Sequence, residues 1–543
     1  MKGGEDLMRK EFNITGLCVP RKHYMVNLDD RLERMKKMVD KGNYFAINRA
    51  RQYGKTTTLA ALANYLSDKY VVIFIDFQTI GNAMYQDEDA FARAFAICFL
   101  DEFRTEYSDW SEEMRHKADG LEKLLEEQEK PFYLMNLFRY LTAFCKMTEK
   151  PMVLMIDETD SAADNQVFLD FLSQLRNYYL QRERKGTETF HSVILAGVHD
   201  VKNLKGKLRP KEDGRTNSPW NIAVNFDLDM SFSKDEIAGM LKEYEKDVDS
   251  GMDVDKMAGL IYDETSGYPF LVCRLCKIID EELPEMLDFR NLSEAWSRMG
   301  FLAAVRILVL EKNTLFDSLN HKLEEYPELE RVIGKVLFNG EKIVYNPDLR
   351  EIDVAMMFGF AKRKDASVVI ANRIFETRLY NRFLASEEWK ESEITQASFL
   401  DKNGFVRDGR LNMRRILEKF VIHFQELYGG KDHKFIEEYG RRFFLLYLRP
   451  IINGTGNYYI EAQTRDKKRT DVIVDYHGEQ FIIEMKLWHG KEYHERGEAQ
   501  LAEYLDIYQK RTGYMLSFNF NKKKETGVFE RMIGDKRIIE AIV

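Results

Sequence analysis

Short apolar runs punctuate the first 230 residues at 44–48, 70–76, 152–156, 192–197 and 221–224. Each is the length of a buried strand, and longer stretches with helical spacing separate them. Strands alternating with helices predict a parallel sheet covered on both faces, hence an α/β fold. Farther on the pattern changes. Helical spacing covers 328–337, a turn follows at Asn339-Gly340, and short strands are predicted at 342–345 and 367–370, then a helix over 372–383. Residues 385–393 are acidic and polar and read as a connector. A helix over 412–427 ends near Gly429-Gly430, and a second begins at Phe435. Two β-like runs, 472–474 and 481–483, flank a turn at His477-Gly478 and predict a hairpin.

At 543 residues the chain is too long for one core. It divides in this reading into 1–230, a helical lid at 231–287, a middle domain at 288–386, a connector at 387–410 and a C-terminal α/β domain at 411–543. Helices followed by a two-stranded wing make the middle region winged-helix-like, read here as a lid and transmission domain. With 44% apolar and 31% charged residues the chain reads as a globular protein, and no apolar run has the length of a bilayer span. A start without the apolar core of a signal peptide and five cysteines without a framework predict a cytoplasmic location. Cys273 and Cys276 form a lone C-x2-C, expected to be core residues on a helix. The net charge of −9 excludes a general attraction to nucleic acid, so any such contact must use local basic patches. Arg465, Lys467, Lys468 and Arg469 form one beside Asp471.

The run Arg49-Ala50-Arg51-Gln52-Tyr53-Gly54-Lys55-Thr56-Thr57 follows the first strand and opens a helix. Gly54-Lys55-Thr56 matches the end of a phosphate-binding loop, although Arg49 stands where the first glycine belongs. Residues 51–57 are expected to cradle phosphates, with Lys55 on the terminal ones and the Thr56 hydroxyl on Mg²⁺. About a hundred residues later the strand at 152–156 ends in Asp157-Glu158. Asp157 is expected to hold the Mg²⁺ of ATP, and Glu158 to polarise water. The order resembles AAA-type ATPases of the P-loop NTPase class. That resemblance implies a polar sensor at His199 or Asp200, and makes Arg182 or Arg184 a weak candidate for an arginine finger. NRARQYGKTT, MVLMIDETD, SVILAGVHDVKNLK, SPWNIA and TSGYPFLVCRL resemble the bacterial AAA-ATPase-like family. The proline of Gly267-Tyr268-Pro269 is then expected to back the adenine, with Arg274 a second sensor.

In the C-terminal hairpin Asp471 opens one strand, and Glu484-Met485-Lys486 closes the other with Glu484 and Lys486 on one face. Upstream lies Glu437 on a helix, with Glu438 as its fallback; downstream Gln500 and Tyr504 share a helical face. This resembles the PD-(D/E)xK nuclease superfamily. The resemblance implies Mg²⁺, or Mn²⁺, held by Asp471 and Glu484, with Lys486 on the attacking water. Glu437 then tunes the metal shell and Gln500 supports the site. The expectation is an ATP-regulated nuclease acting on nucleic acid, DNA rather than RNA, with a homo-oligomer compatible and a role in phage defence by analogy. The alternatives are an ATP switch whose nuclease-like domain is an inactive binding platform, and, ranked last, a ring that remodels proteins.

Overall fold

The computed structural model describes the chain apart from residues 1–8, 128, 199–219, 225, 227, 335, 338–342, 347, 384–392, 402–403, 408, 430–432, 453–455, 464–468, 477–478, 488–497, 500, 503–504, 507 and 520–524. It forms two compact units. One comprises Met1–Tyr262, Gly267–Lys277 and Met356–Gly359, the other Asp263–Ser266, Ile278–Ala355 and Phe360–Val543.

The first unit is built on a parallel sheet of β1 (Tyr44–Asn48), β2 (Val71–Asp76), β3 (Met152–Asp157) and β4 (Ser192–Gly197), in the order β1-β4-β3-β2. The first three predicted strands and the fourth are all present. The expected run at 221–224 contributes a single bridge, Val224 to Phe45, on the far side of β1. Every residue of β3 and β4 is buried, which is why these strands read as continuous apolar runs.

Alternate residues of one strand serve opposite cores. Tyr44, Ala46, Leu154, Ile156, Val193 and Leu195 face a cluster with Phe91, Phe95, Phe99, Phe168 and Phe171. These phenylalanines come from α3 (Glu88–Glu106) and α4 (Gln166–Lys185). Phe45, Ile47, Val153, Met155, Ile194 and Ala196 face the opposite way. There they meet Leu32 and Met35 of α1 (Asp29–Asp40) and Leu59 and Leu62 of α2 (Lys55–Leu66). Each of the Val, Leu, Ile, Phe and Met side chains among them stabilises the layer by about 1.5–3 kcal/mol.

In the second unit helices Thr314–Glu325, Pro327–Gly334 and Arg350–Met357, whose last two residues belong to the first unit, precede a hairpin of β5 (Ala361–Lys364) and β6 (Ser367–Ile370), followed by a helix at Arg373–Phe383. Val344 bridges Ser367, so the chain at the predicted 342–345 strand pairs with the wing. After a two-residue ladder of β7 (Val406–Arg407) and β8 (Arg410–Leu411) come helices Met413–Tyr428 and His433–Ile452.

The chain closes in a six-stranded sheet of β9 (Gly456–Gln463), β10 (Arg469–Tyr476), β11 (Glu479–Leu487), β12 (Thr512–Phe518), β13 (Gly527–Ile533) and β14 (Lys536–Ile542). Its order is β13-β14-β12-β11-β10-β9, with β11, β12 and β14 parallel. The predicted hairpin is β10–β11, paired from Val472 opposite Ile483 to Tyr476 opposite Glu479. Ile482, Met515 and Ile538 pack against Leu501 and Leu505, while Phe518 meets Phe424 with ring centroids 5.5 Å apart. Among the described residues no helix is long and apolar enough to cross a membrane.

Candidate functional site

β1 delivers the chain to the carboxyl edge of the parallel sheet, and α2 leads it away. The loop between them turns at Gly54, whose φ of +75° caps α2. A Cβ there would meet nothing within 4 Å, so backbone conformation rather than space calls for glycine. Gln52 also has positive φ, 58°. Lys55 is buried, and its Nζ donates to the carbonyls of Arg49 (3.1 Å) and Ala50 (3.2 Å). The Thr56 hydroxyl donates to Asp157 Oδ2 at 2.6 Å. Two residues read as Mg²⁺ ligands from separate motifs therefore touch.

Asp157 is 1% exposed, and its other oxygen accepts the Glu158 backbone N–H at 2.9 Å. Burial holds the carboxyls of Asp157 and Glu158 above their ordinary range. Burial likewise lowers the Lys55 ammonium, against the opposing pull of Glu158, Asp160 and Asp157. The site thus concentrates charge where water is scarce, which strengthens any interaction with an incoming polyanion and metal. Glu158 has φ 52° and ψ 41°, a left-handed conformation that costs an L-residue about 1–2 kcal/mol.

The departure at Arg49 has a structural account. Its guanidinium donates to Leu228 O (2.6 Å) and Asn48 O (2.8 Å) and lies 5.7 Å from the Phe226 ring centroid. It ties the loop to the segment behind it. Arg51 is exposed, while the Tyr268 hydroxyl donates to the Arg51 carbonyl. Tyr53 bonds Ser231 through their hydroxyls at 2.9 Å and packs edge-on to Tyr268. Thr57 is not part of the Thr56–Asp157 pair; its hydroxyl accepts the Cys18 backbone N–H at 3.2 Å.

The arginine-finger expectation fails at Arg182. Its guanidinium donates to Gly42 O (2.8 Å), Phe190 O (3.1 Å) and His191 O, with the rings of Tyr44 and Tyr179 beside it. A group so engaged holds its own chain together, whereas Arg184 is exposed. His199 and Asp200 lie outside the described residues. Pro269 and Arg274 are buried on the helix Pro269–Lys277. Cys273 and Cys276 are buried on the same helix, and burial pushes the Cys273 thiol up to about 12.

In the C-terminal sheet Lys486 Nζ lies 2.8 Å from Glu484 Oε1, with Glu484 1% and Lys486 18% exposed. Continuing the β10–β11 register one step beyond Val472 and Ile483 puts the backbone of Asp471 opposite that of Glu484. The side chains of Asp471 and Glu437, with Gln500 and Tyr504, lie outside the described residues. Sequence reasoning missed Ser517 and Glu540. The register runs Glu484–Met515–Glu540 across β11, β12 and β14, so the two glutamates share a face. Ser517 donates to Glu540 Oε1 at 2.7 Å, and Arg531 lies 3.8 Å from Glu540 and 3.6 Å from Glu498. The signal was a lone Glu inside Ile538-Ile539-Glu540-Ala541-Ile542. Among the described residues no group of three or more His, Cys, Asp or Glu is placed to hold a metal.

Comparison with known proteins bears on the first of these sites. Solved structures with a similar course include the Walker-type ATPase of Pyrococcus abyssi, 12% identical over 68% of this chain and 99% of that one, with a TM-score of 0.46. The Aeropyrum pernix ORC2 protein in its ADPNP–ADP complexes is 12% identical over 69% and 98%, with a TM-score of 0.35. The Aeropyrum pernix ORC1 protein in complex with DNA is 13% identical over 66% and 93%, with a TM-score of 0.30. No curated protein matches the chain. A family model described as an AAA-like domain matches residues 22–384 and stops short of the six-stranded sheet. Because that match spans more than half of the chain, the protein belongs to the AAA-like domain family, with the parallel-sheet α/β fold of P-loop NTPases.

Proposed function

We propose that the N-terminal unit binds and hydrolyses ATP with Mg²⁺. The observation that carries this is the 2.6 Å bond from Thr56 to Asp157, beside a lysine buried under its own loop. Thr56 and Asp157 are hard oxygen donors suited to Mg²⁺, which when bound neutralises charge between the terminal phosphates. Lys55 exchanges the Arg49 and Ala50 carbonyls for phosphate oxygens, and the amides from Arg51 to Thr56 receive the remaining charge. Glu158 polarises the attacking water. Titration with Mg·ATP, followed by phosphate release, tests the reading; a wild-type protein that binds no nucleotide at millimolar concentration defeats it.

A second activity is proposed for the C-terminal sheet, where the Glu484–Lys486 pair and the Asp471 register favour metal-dependent phosphodiester cleavage of nucleic acid, DNA before RNA. Asp471 and Glu484 then hold Mg²⁺ or Mn²⁺, and Lys486 orients or deprotonates water. Glu437 and Gln500 keep the supporting roles their motif implies. The middle region acts as a winged-helix-like lid through which ATP regulates cleavage, in keeping with phage defence. Cleavage of single- and double-stranded DNA and RNA, with Asp471→Ala as control, separates this from a binding platform, which retains binding but cuts nothing.

A further inference from the structure

Immediately after the paired carboxylates the chain turns tightly, and the polar residues of that turn face a neighbouring strand. Thr159 is 2% exposed, and its hydroxyl donates to Ala196 O at 3.0 Å. Asp160 Oδ2 accepts the Val198 backbone N–H at 2.6 Å. Between these two acceptor and donor positions lies Gly197. A Cβ on it would come 2.5 Å from Thr159 Oγ1 and 3.2 Å from Asp160 Oδ1, so the turn occupies the space any side chain would need. On its other side Gly197 presents its carbonyl to the Arg49 backbone N–H at 3.1 Å. The end of β4 is thus gripped from both directions, by the phosphate loop after β1 and by the turn after β3. Sheet order makes this available, since β4 lies between those two strands.

Glu158 sits at the entrance to this turn with a left-handed backbone that nothing in its own side chain favours. A conformation of that kind persists when its surroundings over-determine it. The two bonds that follow Glu158 at once supply that constraint.

We propose that Thr159 and Asp160 are positioning residues of the ATP site, latching the turn that carries Glu158 to the end of β4. The latch makes the phosphate loop, the water-polarising carboxylate and the start of the segment after β4 one rigid block. It rests on the ATP reading above, and it acts on the geometry of the terminal phosphate rather than on nucleotide capture.

The experiment uses the full chain and two conservative pairs, Thr159→Val with Thr159→Ser and Asp160→Ala with Asp160→Asn. Serine keeps the hydroxyl and asparagine keeps an acceptor oxygen. Gly197→Ala opens the latch from the opposite side. Affinity is read with a fluorescent ATP analogue, and kcat and KM from phosphate release. Thr159→Val, Asp160→Ala and Gly197→Ala are expected to lower kcat about tenfold or more, with affinity changed by less than about threefold. The serine and asparagine variants stay near wild type. If Thr159→Val does not fold, the Asp160 pair carries the same comparison.

Equal kcat within each pair overturns the latch while leaving the ATP site standing, as does a matched loss of affinity and kcat. Wild type that binds no nucleotide defeats the parent reading and the latch together. Should wild type bind ATP without turning it over, the ratio of ATP to ADP affinity becomes the readout: its loss in valine but not serine supports the latch, and an unchanged ratio overturns it.

Discussion

The nucleotide loop and strand β11 each set a lysine near carboxylates, but in opposite ways. Lys55 spends its bonds on two carbonyls of its own loop, and Asp157 is bonded to Thr56. Lys486 bonds Glu484 directly, two residues away on one strand. The first arrangement keeps cation and anion apart and both ready for a third party. The second closes a charge pair on itself, and a metal entering there must compete with an ammonium already in place. Preorganisation in the first case comes from contacts distant in sequence, whereas strand alternation brings the second pair together.

The largest expected effects test whether the two places are sites at all. Lys55→Ala should lower ATP turnover by about 10²-fold or more, since a preorganised charge facing the phosphates is lost; phosphate release measures it, and near-normal turnover would break the comparison at its stronger end. Glu484→Gln should lower metal-dependent cleavage on the order of 10²-fold while ATP turnover stays unchanged. Loss of both activities together would mean that the change reports on folding.

Stability gives a finer contrast. Lys486→Met removes the ammonium 2.8 Å from the buried Glu484 carboxylate and should cost about 2–3 kcal/mol in denaturant unfolding, below the fully buried case because Lys486 keeps some solvent. Adding Glu484→Leu should recover most of that loss. Lys55→Met should cost less than about 1 kcal/mol, because relief of a buried charge offsets the two carbonyls left behind. The reverse order would show that the parked lysine is the structural one.

The smallest effect is on pH dependence. Asp157 and Glu158 are held above their ordinary values of 3.8 and 4.5, so the folded chain binds more protons than the unfolded chain just above those values. Their contribution to stability is therefore complete below those values and lost as pH rises through the folded ones. Asp157→Asn should flatten that part of the profile, measured as unfolding free energy from pH 4 upward without nucleotide; an unaltered slope excludes Asp157 as its source.

The candidate nucleotide site was legible as a pattern because its motifs are contiguous: a glycine, lysine and threonine after one strand, and two carboxylates after another. What escaped was whatever depends on partners distant in the chain. Nothing local says that Arg49 reaches Leu228, that Tyr268 holds the Arg51 carbonyl, or that Arg182 is pinned by Gly42 and Phe190. Thr159 and Asp160 did leave a trace, as two more polar residues directly behind the carboxylates. In the C-terminal sheet alternation put Glu484 and Lys486 together, whereas Glu540 needed the order of the strands, which pairs β14 with β12 across an intervening β13 in sequence. The weakest expectation was the strand at 221–224, where four residues of modest apolarity yield one bridge.

Four residues, Met356–Gly359, return to the first unit long after the chain has left it. Gly359 has φ +73°, and a Cβ there would fall 2.8 Å from the Ala50 side chain. The base of the nucleotide loop is therefore sheltered by a piece of chain that any fragment ending near residue 290 would lack. A shortened protein of that kind would keep residues 51–57, Asp157 and Glu158 yet leave Ala50 without its cover, so a fragment that keeps this loop as it stands here extends past Gly359, as the family's own span to residue 384 does.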